Sequence, residues 1–204
     1  MENICKKGKN MKVMVVSPHP DDETLGAGGT LLRLKKEGHQ IYWLNITDAK
    51  EKDGWSASFI KQRKEQIQRV CDFFEFDDAF NLKFPPAKLE MLEKSILIQK
   101  IGSCFQTVEP EWIILPDPND AHSDHKITYE SCISCSKIFR YPYIHRITTM
   151  EILSETDFGR IDNPFVPNYF VNISDYMKSK IQALEIYDTE LGEHPFPRLS
   201  LIHI

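Results

Sequence analysis

Nowhere in the chain do apolar residues run long enough to cross a membrane. No stretch approaches the roughly 18 that a spanning helix requires, and the run Val13 to Val16 is too short even for a signal-peptide core. Positive charge is not in excess either. Twenty-five Lys and Arg face 30 Asp and Glu, a formal net charge of -5. With no basic run, this argues against nucleic acid as the main partner. Zinc-finger spacing is missing: Cys132 and Cys135 form a C-x-x-C, but no second Cys/His pair accompanies them. Both fall on an expected helix and read as packed thiols without a metal or redox role. Five cysteines, an odd number, in a chain without a secretion-type segment imply reduced thiols and a cytoplasmic protein. Repeats, low-complexity tracts and linkers are absent too. The 204 residues therefore read as one domain, 1–204, with 1–11 as a poorly ordered polar leader.

What is present is an alternation. Lys12 to Ser17 (KVMVVS) is a β-branched apolar run of the kind found in buried parallel strands. Thr24 to Glu37 reads as a helix with glycines at its front and Gly38 as its stop. Gln40 to Thr47 is the next strand, which completes a βαβ unit. Helices are expected at Ser58 to Phe74, Leu89 to Thr107, Asp124 to Phe139 and Ser174 to Leu191, the last with Ser174 as N-cap. Strands are expected at Ala79 to Phe84, Trp112 to Leu115, Arg146 to Leu153 and Tyr169 to Ile173. The implied fold class is α/β, three-layered and Rossmann-like, with a mostly parallel sheet.

Such sheets bind ligands beyond the carboxyl ends of their strands. Two polar segments are expected there: Ser17 to Glu23 after the first strand, and Pro116 to His125 after the WIIL strand. The first carries His19, Asp21, Asp22 and Glu23. Three consecutive acids in one site call for a compensating cation. The second carries His122 and His125 with three acids. A catalytic zinc takes three protein ligands and leaves one position open. One His and one Asp from the first loop with one His from the second meet that count. The remaining acid and His are then available for proton transfer and charge stabilisation. Spacing does not decide between Asp21 and Asp22 as the ligand. Taken singly, Asp-Asp-Glu before a helix is more often a cap, and H-x-x-H more often two surface histidines. Their joint placement after two strands favours the metal reading.

The stretch SPHPDDETLGAGGTLLRLKKEGHQIYWLNITD resembles the opening of the PIG-L/LmbE-like zinc-dependent N-deacetylases. PDPNDAHSDH resembles their second signature, RKEQIQRVCDFF their middle helix, and PNYFVNISDYMKSKIQALEIYDTE their terminal strand and helix. The resemblance runs from about Lys12 to Arg198 and implies an LmbE-like fold. It implies one Zn2+ per chain held by His19, Asp22 and His125, with Asp21 as general base. It implies that His122, protonated, stabilises the oxyanion and that Asp124 orients or charges it. Arg63 and Asn119 would contact substrate. The implied reaction is hydrolysis of a linear amide: water activated by zinc removes an N-acetyl group from an N-acetylglucosamine-type sugar or conjugate.

Several features sit outside this core. Gly26-Ala27-Gly28-Gly29 is not a dinucleotide loop, because HPDDE intervenes after the strand; close packing of helix on sheet is expected instead. The segment TDAKEKDG, where the family commonly has T-D-G, reads as a solvated loop. Phe84-Pro85-Pro86 suits either a pocket wall or a turn. His39 and His145 are expected at the surface, whereas His194 suits a segment folding over the site. The ending RLSLIHI departs from the family pattern and reads as a truncation near 199–204. A metal-dependent phosphoesterase, a non-catalytic sugar- or nucleotide-binding module, and an inactive family member are the competing readings. A homo-oligomer is left open.

Overall fold

The computed structural model describes residues 10–191. The sequence readings of the leader up to residue 9, Cys5, His194 and the ending at 199–204 lie outside those residues. Among the described residues, five strands form one sheet in which every pairing is parallel. They are β1 (Lys12–Ser17), β2 (Gln40–Thr47), β3 (Asp78–Phe84), β4 (Trp112–Pro116) and β5 (Arg146–Met150), in the order β3-β2-β1-β4-β5. Helices α1 (Asp22–Lys36), α2 (Ala57–Phe74), α3 (Lys94–Val108), α4 (Ser123–Ser134) and α5 (Met177–Ile186) cover it.

The alternation of side chains along a strand explains the three layers. Val13 and Val15 of β1 join α1, α2 and α5 in one apolar cluster. Met14 and Val16 join α3 and α4 in the other. All four β1 side chains are fully buried, which is why that strand is apolar at successive positions. The strand order reverses direction between β1 and β4. That is the topological switch point, and the loops after these two strands both open onto it.

The α1 glycines do pack closely. A Cβ on Gly26 would lie 2.7 Å from Met150 of β5, and one on Gly29 would lie 2.6 Å from Ile173. Gly38 follows α1 with φ +90°, a turn conformation that suits glycine.

Several element expectations need correction. Tyr169 to Ile173 is not a strand: Arg33 donates to the carbonyl of Asn172, and Tyr169 packs edge-on against Trp112, so the segment has no ladder partner. β5 ends at Met150 rather than Leu153, and α4 ends at Ser134 rather than Phe139. α3 starts at Lys94, because residues 89–91 form a separate short turn whose first N–H is held by Asp124. α5 begins at Met177 after a 3-10 turn, and Tyr176, not Ser174, precedes it. His39 is not a surface residue. Its ring is 12% exposed, and Nδ1 accepts the Met11 N–H.

Cys71, Cys104, Cys132 and Cys135 are free thiols, and the last three are buried. Cys135 donates to the carbonyl of Ile98. Among the described residues, no helix is long and apolar enough to cross a membrane.

Candidate metal centre

The loop after β1 is held before any ligand is considered. The Pro18 carbonyl accepts from both the N–H and the hydroxyl of Thr47, at 3.0 and 2.7 Å, which ties the loop to the end of β2. Asp21 occupies the N-cap position of α1 but makes no capping side-chain bond. The cap reading of Asp-Asp-Glu therefore fails at its first residue. Asp21 also adopts φ 134°, a conformation that is strained for any residue but glycine. Asp22 starts the helix and accepts the His19 N–H at 2.8 Å.

The loop after β4 crosses the switch point and brings three imidazoles together. Ring centroids lie 4.5 Å apart for His19 and His122, 5.5 Å for His19 and His125, and 5.6 Å for His122 and His125. Each ring has one nitrogen committed, and the commitment sets the tautomer. His125 Nδ1 lies 2.8 Å from Asp120, so it carries the proton and Nε2 is the lone pair. His19 Nε2 lies 3.0 Å from Asp124, so Nδ1, turned toward Asp22, is the nitrogen that would face a cation once it gives up its own proton. His122 Nδ1 accepts the Asp124 N–H at 3.1 Å and so caps α4. In the neutral ring the proton is then on Nε2.

His19 Nδ1 and His125 Nε2 both lie 3.5 Å from Asp22 Oδ2. Donors about 2.0–2.1 Å from a tetrahedral zinc are separated by roughly 3.3–3.5 Å, so each histidine nitrogen stands at ligand spacing from Asp22, and the three donor atoms lie within 4.8 Å of one another. His125 Nε2 is fully buried and has no hydrogen-bond partner, a condition that costs about 1–3 kcal/mol unless something binds there. The charge of the cradle agrees. Burial opposes charge on His19, yet its hydrogen bonds to Asp124 and Asp22, and their charges, raise its pKa to about 10. Burial likewise opposes charge on His125, but Asp22 and Asp120 raise its pKa. Burial alone would raise Asp22; the charge of His125 and the hydrogen bond to His19 hold it well below the usual range. These acids favour positive charge between them, and a divalent cation supplies it. His19, His122 and Asp124 form a second donor group that shares His19 with the first. Both Asp124 oxygens there already accept backbone N–H groups, from Ala87 at 2.7 Å and Leu89 at 3.1 Å.

The structure thus alters the role expected of Asp124. Its carboxylate stands behind His19, not His122; only its backbone N–H reaches the His122 ring. Nor is His122 set up to be protonated. Burial and the neighbouring His19 lower its pKa, and its Nδ1 is already an acceptor. Asp120, behind His125, has no role in the sequence reading. The only signal was its place five residues before a ligand-type histidine.

A cavity of about 290 Å³ opens beside the three atoms. His19, Asp21, His122 and Arg63 line it, as do Asp48, Trp55 and Pro86. The start of the loop after β2, Thr47 to Ala49, is therefore part of the wall, while Glu51, Lys52 and Gly54 are exposed as expected, and of Phe84-Pro85-Pro86 it is Pro86 that lines the wall. Trp55 stacks on Phe59 with centroids 4.6 Å apart. Arg63 donates to the Pro20 carbonyl at 3.0 Å, pairs with Glu190, and lies over the rings of Phe59 and Tyr187. Asn119 is not brought to the cavity. Its side chain accepts from Asn163 and its carbonyl from the Arg160 N–H, so it anchors the 160–163 turn.

Comparison with known proteins bears on this geometry. The profile of the family described as "PIG-L: GlcNAc-PI de-N-acetylase" matches residues 14–136, which contain both loops. Diacetylchitobiose deacetylase of Thermococcus kodakarensis is 25% identical over 193 residues, covering 89% of this chain and 71% of that protein. A probable N-acetyl-alpha-D-glucosaminyl L-malate deacetylase 2 of Bacillus cereus is 26% identical over 183 residues, covering 84% and 80%. The crystal structure of N,N'-diacetylchitobiose deacetylase from Pyrococcus horikoshii superposes with a TM-score of 0.72 at 20% identity, covering 90% of this chain and 72% of that one, and so shares the fold.

Proposed function

The chain belongs to the PIG-L family, and from that premise we propose that it is a zinc-dependent hydrolase that removes the acetyl group from an N-acetylglucosamine-type sugar or its conjugate. The observation that carries the reading is the convergence of His19 Nδ1, Asp22 Oδ2 and His125 Nε2 beside a cavity lined by Asp21 and His122. Each of the two ligand histidines is backed by a carboxylate, the arrangement that fixes ring orientation in metal sites.

His19, Asp22 and His125 would hold the metal. Bound there, zinc lowers the pKa of a water to about 7 and polarises a carbonyl. Asp21 takes the proton from the attacking water and then delivers it to the leaving nitrogen, so that an amine and acetate result. Neutral His122 donates from Nε2 to the oxygen on which negative charge develops, as a hydrogen-bond donor rather than as a cation. Arg63, fixed by Glu190 and the Pro20 carbonyl, orients hydroxyl or carbonyl groups of the substrate. Because the two donor groups share His19, and both Asp124 oxygens of the second already accept backbone amides, the arrangement favours one ion over the two that a binuclear phosphoesterase requires.

The test is metal analysis together with acetate release from N,N'-diacetylchitobiose, N-acetylglucosaminyl malate and other N-acetylglucosamine conjugates. One zinc per chain with chelator-sensitive acetate release is expected. Protein that binds no metal, or binds two ions and releases phosphate from phosphoesters, would overturn the proposal.

A further inference from the structure

Of four consecutive residues just after α5, Tyr187 reaches the site from behind, Glu190 reaches it at the cavity wall, and the two between them are tied to α2. Tyr187 is fully buried, and its hydroxyl donates to Glu23 Oε1 at 2.9 Å. The other oxygen of Glu23 accepts the backbone N–H of Asp21 at 3.1 Å. The Thr24 hydroxyl adds a further bond to Oε1 at 2.7 Å. Glu23 itself is completely buried, so its carboxylate does not meet a substrate. What it does meet is the backbone of the one residue in this loop held at φ 134°. A strained backbone persists only where surrounding groups hold it, and Glu23 is the side chain that does so here.

The two ends of this segment also hold Arg63. The guanidinium lies 5.8 Å from the Tyr187 ring centroid and pairs with Glu190. Asp188 accepts from Gln62 and Gln66 of α2, at 3.0 and 2.6 Å, and Thr189 donates to Gln66 at 3.1 Å. The segment is thus fastened to α2 on both sides of Arg63.

We propose that Tyr187 to Glu190 is a positioning strap: Tyr187, through Glu23, sets the backbone of Asp21, and Glu190 sets the guanidinium of Arg63. This rests on the assignment of Asp21 as base and Arg63 as substrate contact. The two arms act on different kinetic quantities. The base works only in the transition state, so disturbing it lowers kcat. Arg63 holds substrate before and during reaction, so releasing it raises KM. A segment distant in sequence from both signature loops thereby divides turnover from binding.

Tyr187→Phe keeps the ring over Arg63 and removes only the hydroxyl. It should lower kcat about tenfold, as expected for one buried bond to a charged group, with KM and zinc content unchanged. Amide hydrogen exchange in the peptide spanning 18–23 should accelerate in the same variant. Glu23→Gln, which retains an acceptor for the Asp21 N–H, should keep more turnover than Glu23→Ala. Glu190→Gln, at a partly exposed side chain on the cavity wall, should raise KM with kcat near the parent value. Assays use the conjugate that turns over fastest in the acetate-release panel.

A Tyr187→Phe protein that is less heat-stable but has parent kcat and exchange rates would overturn the Asp21 arm. Equal effects of Tyr187→Phe and Glu190→Gln on kcat and KM would overturn the division of roles. Failure of the underlying assignment looks different: Asp21→Asn with zinc bound would then retain turnover, whatever the strap variants do.

Discussion

The two loops at the switch point and the 158–170 segment beyond β5 treat their side chains in opposite ways. In the loops, charged groups are buried and committed: Asp22, Glu23, Asp124 and His125 are each at most 1% exposed. Beyond β5, apolar groups stand in solvent, with Ile161 97%, Phe170 79% and Val166 74% exposed. The loops bury charge at a desolvation cost that only mutual pairing or a cation offsets. The 158–170 segment leaves apolar surface uncovered, at no such electrostatic cost. Chemistry is therefore expected where rigidity is imposed by polar contacts, while the exposed apolar positions of the 158–170 segment should tolerate substitution.

The comparison breaks most sharply at His125. His125→Ala removes a proposed ligand and should leave the protein without stoichiometric zinc and without acetate release; retention of a full equivalent of metal would remove His125 from the ligand set. Next in size is Asp120→Ala, which leaves the ligands in place but frees the His125 ring to turn. Zinc affinity should weaken by about 10–100-fold, read by competition with a chromogenic chelator. An unchanged affinity would mean that packing alone orients the ring.

Glu23 gives a pH signature in the metal-free protein. Burial first, with the nearby charge of Asp21 adding, raises its pKa from an ordinary 4.5 to about 7 against the hydrogen bonds it accepts. The folded state therefore holds this proton more tightly than the unfolded chain does. The associated stability is fully present below about pH 4.5 and is lost as pH rises to about 7, a difference of about 3 kcal/mol. Denaturant unfolding of chelator-treated protein at pH 5 and pH 8 should show this loss in the parent and a smaller one in Glu23→Gln. Parallel losses in both proteins would place the titration elsewhere.

The smallest effect belongs to the other region. Phe170→Ser should change stability by no more than about 0.5 kcal/mol, because the ring is 79% exposed. A loss above 1 kcal/mol in urea unfolding would show that the ring is covered in solution.

Local pattern made much of the fold legible. β1, β2 and β4 are apolar at successive positions because both faces of the sheet are covered, and the strands can be read to within a residue. The same logic misread Tyr169 to Ile173. Its composition suits a strand, but a strand also needs a ladder partner, and Arg33 takes the Asn172 carbonyl instead. At the site, residue types in the two loops singled out His19, Asp21, Asp22, His122 and His125, which the structure brings together around the candidate donor group and its cavity. Asn119 was misplaced because the turn at 160–163, more than forty residues on, captures it. The loop after β2 is exposed at Glu51, Lys52 and Gly54, as its polar composition suggests, but that composition conceals that Asp48 lines the cavity and that Trp55 stacks on Phe59 at its wall.

By itself, the sequence determined the alternating α/β architecture, the positions of the two polar loops after β1 and β4, and the need for close approach at Gly26 and Gly29. Each of these follows from side-chain periodicity or size within a short stretch of chain. The tertiary structure alone decided which nitrogen of each histidine is left as a lone pair, that Asp124 serves His19 rather than His122, that Asp120 backs His125, and that Tyr187 to Glu190 braces Asp21 and Arg63. A hydrogen bond between His19 and Asp124 spans 105 residues of sequence, and one between Tyr187 and Glu23 spans 164. Tautomer and ring orientation follow from such bonds, whose angles and distances exist only once the strands on either side of the switch point are laid next to each other.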